Sequence, residues 1–544
     1  MSLKNKKILL TEILKRNYIL VIIVISAIAL RMHFLSRLGG DIFLPNLGGD
    51  PCHHFNLALN ISLNKGPVTD FIFSYWFQHE KIPALSDIYP PGPHSYIALF
   101  LKFFGNSYFV ARIAVLIAAL TSIILAYKIG KLIFNTPIGL ISASLIALNT
   151  SHIENSVIVM YPTITLAAMQ LFVLFLLKID KLKNSILSGI FLGITALCQN
   201  GAIILYPFSI ILLWMLLPND KNKIRSLFLF TLAFSLTIFP WALVTFNYFG
   251  SPFYSHMKYF SFTHNWINMM SDSKPPSIGD FIKNEFNLSY IQNFSKQLLL
   301  NALRGIKFLS PSIFFYLSPL LPFAVFLAIK KAKGAQKIIL ITFIMMALSI
   351  FVPFIIAIST GEGRLFARHY IIFFSILSPI FASGIYIIYK HLENKFHLFN
   401  FISQKKMIIF SAPIIVMLTI INNEIKSSPW NKNNNELYKI GNEIKNLTLE
   451  NSVIMYAFTP QDAWCLTSRK IISDPIFGFY DKPSNRAQTE AVRYNAKYLL
   501  VDRDDEIYPR SNIYFDESLY SGLKLKKIYK AEKKNIVLYE IENN

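Results

Sequence analysis

The chain has 544 residues, of which 53% are hydrophobic and only 15% charged, with 53 lysines and arginines against 31 acids for a formal charge of +22. The apolar residues come in blocks of about 20, long enough to span a bilayer at ~1.5 Å per residue, which excludes a soluble globular protein. Hydrophobicity this high also excludes intrinsic disorder.

The charge is uneven. Residues 425–544 carry 18 basic and 16 acidic side chains, so nearly all the excess lies in residues 1–424. There the cations occupy short loops between apolar runs. That is the pattern of membrane orientation, not of nucleic-acid binding, and no nucleic-acid partner is expected.

The first apolar run, Tyr18 to Leu30, follows Lys4, Lys6, Lys7, Lys15 and Arg16. No small-residue cleavage site follows it, so it reads as a retained span with a cytoplasmic N-terminus. Further cationic clusters at Lys128/Lys131, Lys178/Lys181/Lys183, Lys221/Lys223/Arg225, Lys330–Lys337 and Lys390–Lys406 each fall where an even number of crossings returns the chain inside. The expected spans number eleven, at 17–38, 111–134, 137–153, 158–178, 184–199, 202–217, 226–248, 309–329, 338–358, 370–389 and 406–423. The fold class is therefore a mainly α, polytopic helical membrane protein. It lies in the plasma membrane, with the lipid bilayer as its surroundings.

Three segments remain outside in this topology. Residues 39–110 and 249–308 are outer loops of a transmembrane domain covering 1–424. Residues 425–544 read as a small extracytoplasmic α/β domain. Its pattern gives a helix at Glu436–Leu447, a strand at Val453–Tyr456, a helical turn at Asp462–Thr467 and a strand at Lys470–Ile472. A helix at Ala487–Ala496, a strand at Tyr498–Val501 and a hairpin over 524–531 and 535–541 follow.

Chemistry concentrates in the outer segments. In "GGDPCHHFNLALNISLNKG", Asp50 precedes a short amphipathic helix. It is either the N-cap or a carboxylate at the membrane boundary, poised as a general base or metal ligand. His53 and His54 follow it, and Tyr89 opens the rigid turn Tyr89-Pro90-Pro91-Gly92-Pro93 before His94. With Glu80 and Asp87 nearby, these imidazoles suggest a divalent metal as a possible cofactor, although no compact zinc spacing is present. After the third span, His152 and Glu154 stand between apolar runs, where an acid needs a partner or a role. Arg364, Arg368 and His369 cluster at an outer end, where the positive-inside rule would not put them. They either hold a lipid phosphate or anchor to headgroups. In the tail, Gln461, Asp462, Trp464 and Arg469 form either a lid or ordinary packing, with packing favoured. Cys198 reads as a core residue. Cys52 and Cys465 would pair only if both face outside, and this is the less favoured alternative.

Taken in order, these segments resemble the GT-C glycosyltransferases of the protein O-mannosyltransferase and lipid A aminoarabinose transferase type. The resemblance rests on the "GGDPCHHFNLALNISLNKG" loop, the "YPPGPHSYIALFLKFFGNSYFVARIAVLIAALTSIILAYKIGKLIF" stretch, "GLISASLIALNTSHIENS", "ARHYIIFFSILSPIFA" and the tail segments "VIMYAFTPQDAWCLTSRKIISDP" and "AKYLLVD". It implies a polyprenyl-phosphate-linked sugar as donor and a lipid, glycan or protein acceptor, with inversion at the anomeric carbon. It implies Asp50 as catalytic base and Arg368 with Arg364 at the leaving phosphate. His53 and His54 would orient the acceptor or bind an ion. Tyr89, His94, His369 and Tyr370 join the substrate-binding set. The family's second loop acid is replaced by Pro51, and another acid by Tyr161-Pro162; Glu154 would have to substitute. Asp50, His53, His54 and Glu154 are the metal candidates.

Two alternatives stand beside this. An oligosaccharyltransferase shares the GT-C core, but "QDAWCLTS" stands where its Trp-Trp-Asp-Tyr-Gly motif is expected. A transporter or flippase of lipid-linked glycans would need charged groups within the spans, and few are present.

Overall fold

A computed structural model describes residues 3–36, 49–72, 77, 79–179, 181–218, 221–256, 279, 283, 288–309, 320–360, 371–396, 435–456, 460–473, 486–502, 523–532 and 536–542. Helices dominate up to residue 396. The first is α1 (Leu3–Ser36), kinked at Asn17 where the basic leader meets the apolar run. Two short helices follow, α2 (Asp50–Ser62) and α3 (Gly92–Phe104), each opened by a proline in its first turn. Proline suits that place because the N–H it lacks would have no helical partner there.

The apolar helices come next. Ser107 caps α4 (Tyr108–Ile133) and Asn135 caps α5 (Thr136–Ala147), each accepting the N–H three residues on. Asn149 does the same for the short α6 (Thr150–Asn155). Then follow α7 (Pro162–Leu176), α8 (Leu182–Cys198), a 3-10 turn at Asn200–Ile204, α9 (Leu205–Leu216) and α10 (Lys221–Phe249). Further along lie α11 (Leu288–Leu309), α12 (Leu320–Lys331), α13 (Gly334–Thr360) and α14 (Phe374–Phe396). Among the described residues, four helical stretches are long and apolar enough to cross a membrane: Asn17–Ser36, Tyr108–Ile133, Asn222–Phe249 and Gly334–Phe351. Shorter apolar helices cover Thr136–Ala147, Pro162–Leu176, Leu182–Cys198 and Asn200–Leu216. The expected eleventh span, 406–423, lies outside the described residues.

Two differences from the sequence reading concern shape. The expected third span is two helices, α5 and α6, separated by the Asn149 cap. The expected outer segment 249–308 contains the long amphipathic α11, whose exposed Leu288, Ile291, Leu299 and Leu303 alternate with polar residues.

Helix packing uses close backbone approach. Gly189 and Gly193 lie four apart on α8. A Cβ at Gly189 would sit 2.3 Å from the Phe230 carbonyl oxygen, and one at Gly193 would sit 2.6 Å from Thr237 Cβ. These small residues let α8 and α10 touch backbone to backbone, the usual basis of helix association where no hydrophobic effect operates.

The tail adds α15 (Asn435–Leu447), α16 (Pro460–Thr467) and α17 (Arg486–Arg493) around a mixed sheet. Its strands are β4 (Val453–Tyr456), β5 (Lys470–Ser473), β6 (Ala496–Asp502), β7 (Lys524–Lys530) and β8 (Ile536–Glu542). One further strand comes from far away. In the first outer segment, β1 (Val68–Thr69) pairs with β3 (Ala84–Leu85), while β2 (Phe71–Ile72) joins the tail sheet. The strand order is β2-β5-β4-β6-β8-β7, with Phe71 opposite Ile471 in a parallel pair. The two segments therefore share one core, in which Phe71, Ile72, Ile454, Ile471, Ile472, Leu499 and Leu538 are all buried.

Candidate active site

The site is built on the amino end of α2. Gly49 precedes it at φ 80°, in the left-handed region that glycine tolerates and other residues rarely adopt. A Cβ there would also meet Gln461 Nε2 at 2.8 Å. Gly49, not Asp50, is the N-cap, and no side chain caps the helix. The cap alternative for Asp50 is thus corrected: its side chain turns elsewhere, and Oδ1 accepts a hydrogen bond from the Tyr89 hydroxyl at 2.9 Å. Asp50 remains half-buried, as do Tyr89 and Tyr161. The positive end of the helix favours a carboxylate at this place.

Behind these partly exposed groups stands a buried layer of imidazoles and rings. His53 packs edge-on against Phe71 and Tyr89, with centroids 4.9 Å away in each case. His54 lies 4.4 Å from the Tyr89 ring and 5.5 Å from that of Tyr161. Its Nδ1 is 2.7 Å from His94 Nε2, and His94 Nδ1 is 3.0 Å from the Pro90 carbonyl oxygen. A carbonyl only accepts, so His94 Nδ1 carries the proton, His94 Nε2 accepts, and His54 Nδ1 donates. Both ring nitrogens of His94 are thus used inside the protein, and it stands behind His54 as its support. Burial pushes the His53 imidazole down to about 4, against smaller upward pulls from Asp50 and Asp87. Burial likewise takes His94 down to about 3, with His53 adding to the effect and the Pro90 carbonyl opposing it. At neutral pH His53 and His94 are therefore uncharged.

Polar side chains lock α2 to the strands beside it. Asn56 and Asn60, one turn apart and fully buried, both donate to Asp70 Oδ2, at 2.8 and 3.0 Å. Asn56 Oδ1 accepts the Asp70 N–H at 3.0 Å, and the Asp70 carbonyl accepts from Ile471 N–H at 3.0 Å. The other end of the segment is tied by a cluster that sequence reading missed. His256 Nδ1 and His79 Nε2 both meet Asp87 Oδ2, at 2.9 and 3.2 Å, and Tyr494 donates to the His79 carbonyl at 2.8 Å. Burial would raise the Asp87 carboxyl, but His256 and His79 hold it well below the usual carboxylate range.

The tail reaches the same helix end. A disulfide joins Cys52 to Cys465, 413 residues apart in sequence. The sequence reading disfavours this pair. What brings it together is β2, which carries the first outer segment into the tail sheet and sets α16 beside α2. Asp462 Oδ1 also accepts the Gly49 N–H at 2.8 Å.

The metal suggestion fares differently. Among the described residues, no three His, Cys, Asp or Glu side chains come together to hold a metal ion. Asp50, His53, His54 and Glu154 thus form no such site, and no step is routed through one. Near Glu154, which is half-buried on α6, His152 turns inward: Arg31 Nη2 lies 2.6 Å from its Nδ1. Arginine only donates, so His152 Nε2 carries the proton toward Ser122 Oγ at 3.0 Å. Arg364, Arg368, His369 and Tyr370 lie outside the described residues.

Comparison with known proteins agrees with this architecture. Residues 89–243 match the dolichyl-phosphate-mannose-protein mannosyltransferase family. The fold is similar to that of the oligosaccharyltransferase of Archaeoglobus fulgidus in its apo form, at TM-score 0.59 and 14% identity over 97% of this chain and 74% of that one. The same archaeal enzyme, AglB, in complex with an inhibitory peptide and a dolichol-phosphate, aligns at TM-score 0.56 and 13% identity over 96% and 74%. ArnT from Cupriavidus metallidurans bound to undecaprenyl phosphate aligns at TM-score 0.57 and 10% identity over 96% and 98%. No curated protein sequence matches significantly. The chain has the GT-C fold and resembles the membrane glycosyltransferases of the mannosyltransferase and ArnT type.

Proposed function

We propose that the chain is a glycosyltransferase that moves a sugar from a polyprenyl-phosphate donor to an acceptor hydroxyl at the outer face of the membrane, with inversion. The carrying observation is the half-buried Asp50 carboxylate, fixed at the start of α2 by Tyr89 within a GT-C fold. As general base it takes the proton of the acceptor hydroxyl. The acceptor oxygen attacks the anomeric carbon from the face opposite the leaving group, and polyprenyl phosphate departs. Arg364 and Arg368 are the proposed partners of its phosphate, because the departing charge needs fixed donors. The half-buried rings of Tyr89 and Tyr161, with centroids 6.0 Å apart, offer apolar surface suited to a sugar, and the buried His53 and His54 pack against them. ArnT bound to undecaprenyl phosphate and AglB in complex with a dolichol-phosphate support the donor class.

In this reading the chain crosses the plasma membrane eleven times, from a cytoplasmic N-terminus to an extracytoplasmic domain at 425–544. The Cys52–Cys465 disulfide supports an outer location for both segments, since disulfides persist in oxidising compartments. A second reading is favoured by the alignment with AglB: an oligosaccharyltransferase-like enzyme that moves a whole glycan.

The test supplies purified chain in lipid nanodiscs with polyprenyl-phosphate monosaccharides and with lipid-linked oligosaccharides, alongside an extract of cell-envelope acceptors. Release of free polyprenyl phosphate and a product of opposite anomeric configuration is the expected result. Transfer only from the oligosaccharide donor would favour the second reading, and release from neither would contradict both.

A further inference from the structure

Two independent ties from the tail end on the first turn of α2. The Cys52–Cys465 disulfide sits two residues beyond Asp50, and the Asp462 carboxylate accepts the N–H of Gly49, one residue before it. Gln461 also packs over Gly49, where a Cβ would sit 2.8 Å from its Nε2. Gly49 and Cys52, on either side of Asp50, are thus both held by one eight-residue helix, α16. That helix is itself fixed on the tail side: Gly441 of α15 lies where a Cβ would be 2.5 Å from the Leu466 carbonyl oxygen.

We propose that Asp462, with the Cys52–Cys465 disulfide, is the positioning device for Asp50. The tail domain aims the base by fixing the backbone on both sides of it, and transfer depends on both ties. Asp462 touches neither substrate nor reacting atoms; it acts through the Gly49 N–H. The proposal rests on the reading of Asp50 as the general base. A misaimed base lowers turnover more than it lowers donor binding, because the aim matters only as the proton moves.

The experiment uses the full chain in lipid nanodiscs, as wild type and as Asp462→Ala, Asp462→Asn and Asp50→Asn. Undecaprenyl phosphate serves as the binding probe, and sugar transfer to the cell-envelope extract as the activity. Hydrogen exchange of residues 50–62 and the melting temperature are followed in parallel. Asp462→Ala is expected to lower turnover about tenfold or more, with undecaprenyl phosphate binding unchanged and exchange faster in the first turn of α2. Asp462→Asn keeps an Oδ1 acceptor for Gly49 and is expected to stay within about twofold of wild type. A separate arm needs no substitution. Dithiothreitol supplies two electrons and two protons to Cys52 and Cys465, leaving two thiols and its own cyclic disulfide. Turnover is expected to fall on reduction and to return on reoxidation of the same preparation.

If Asp462→Ala turns over like wild type, or if Asp462→Asn is as impaired as Asp462→Ala, the positioning role is overturned. Should Asp462→Ala fail to fold, the reduction arm decides: unchanged turnover in fully reduced, folded protein overturns the proposal. Asp50→Asn separates the two levels. If it retains transfer, the reading of Asp50 as base falls; if it abolishes transfer while the tail ties prove dispensable, only the positioning falls.

Discussion

At Asp50 the difference between a helix cap and a base comes down to one hydrogen bond. The carboxylate accepts from Tyr89, and the N-cap place belongs to Gly49. Removing that hydroxyl leaves the ring against His53 and His54 but takes this donor away from the carboxylate. A hydrogen bond to a charged group is worth about 1.5–3 kcal/mol, so Tyr89→Phe is expected to lower turnover by roughly ten- to a hundredfold. Protein levels should be unaffected, and transfer assays at matched levels check this. The imidazole layer makes a pH prediction. His53 and His94 have folded pKa values of about 4 and about 3, below the 6.5 of a free imidazole. Between these limits the unfolded segment binds more protons than the folded one, so stability rises with pH in that window. Acidification below pH 6.5 is therefore expected to loosen the outer segment, by roughly 1.4 kcal/mol per histidine for each pH unit. Hydrogen exchange of residues 50–62 and 92–104 at pH 7.5 and 5.5 reads it, with His94→Gln flattening the response.

At the scale of elements, two contacts are open to test. Gly189 of α8 faces the Phe230 carbonyl of α10 with no room for a Cβ. Gly189→Leu must push the helices apart, and overpacking of this kind costs roughly 1–3 kcal/mol or more. A lower melting temperature and reduced membrane yield are expected, with Ile186→Leu on the same helix as a neutral control. In the tail, buried Arg469 donates from Nη2 to the carbonyls of Lys445 and Thr448, at 2.7 and 2.9 Å, and from Nε to Thr448 Oγ1 at 3.1 Å. These close the carboxyl end of α15. Arg469→Leu is expected to cost about 3 kcal/mol and to speed exchange over residues 435–447 selectively. Most elements were legible locally. Apolar runs marked the helices, Pro91–Pro93 marked the turn that opens α3, and the tail strands at 453–456 and 498–501 fell where the sequence pattern put them. What was not legible has no local pattern. Two residues, Phe71 and Ile72, form a strand only because Ile471 and Ile472 offer an edge 400 residues on. The same long-range pairing explains why Cys52 and Cys465 meet. His79 and His256 are far apart in the sequence and meet at Asp87.

Across the whole molecule, residues 49–72 and the tail share a sheet, a disulfide and a hydrogen bond at the start of α2, so the tail borders the candidate site as the helical part does. The sequence marked Asp50, His53, His54, Tyr89 and His94 because acids, imidazoles and a proline turn are rare beside apolar runs. It did not order them into a half-buried pair backed by a buried layer of imidazoles, since that depends on long-range packing and on the lone pairs that the Pro90 carbonyl offers. The most direct measurement is complementation of a deletion strain with wild type or Asp50→Asn at equal membrane levels, followed by mass spectrometry of surface lipids, polysaccharides and proteins. One sugar-sized mass should vanish in the deletion, return with wild type and stay absent with Asp50→Asn, since a general base contributes about 10²–10⁴-fold. Full restoration by Asp50→Asn would contradict the account.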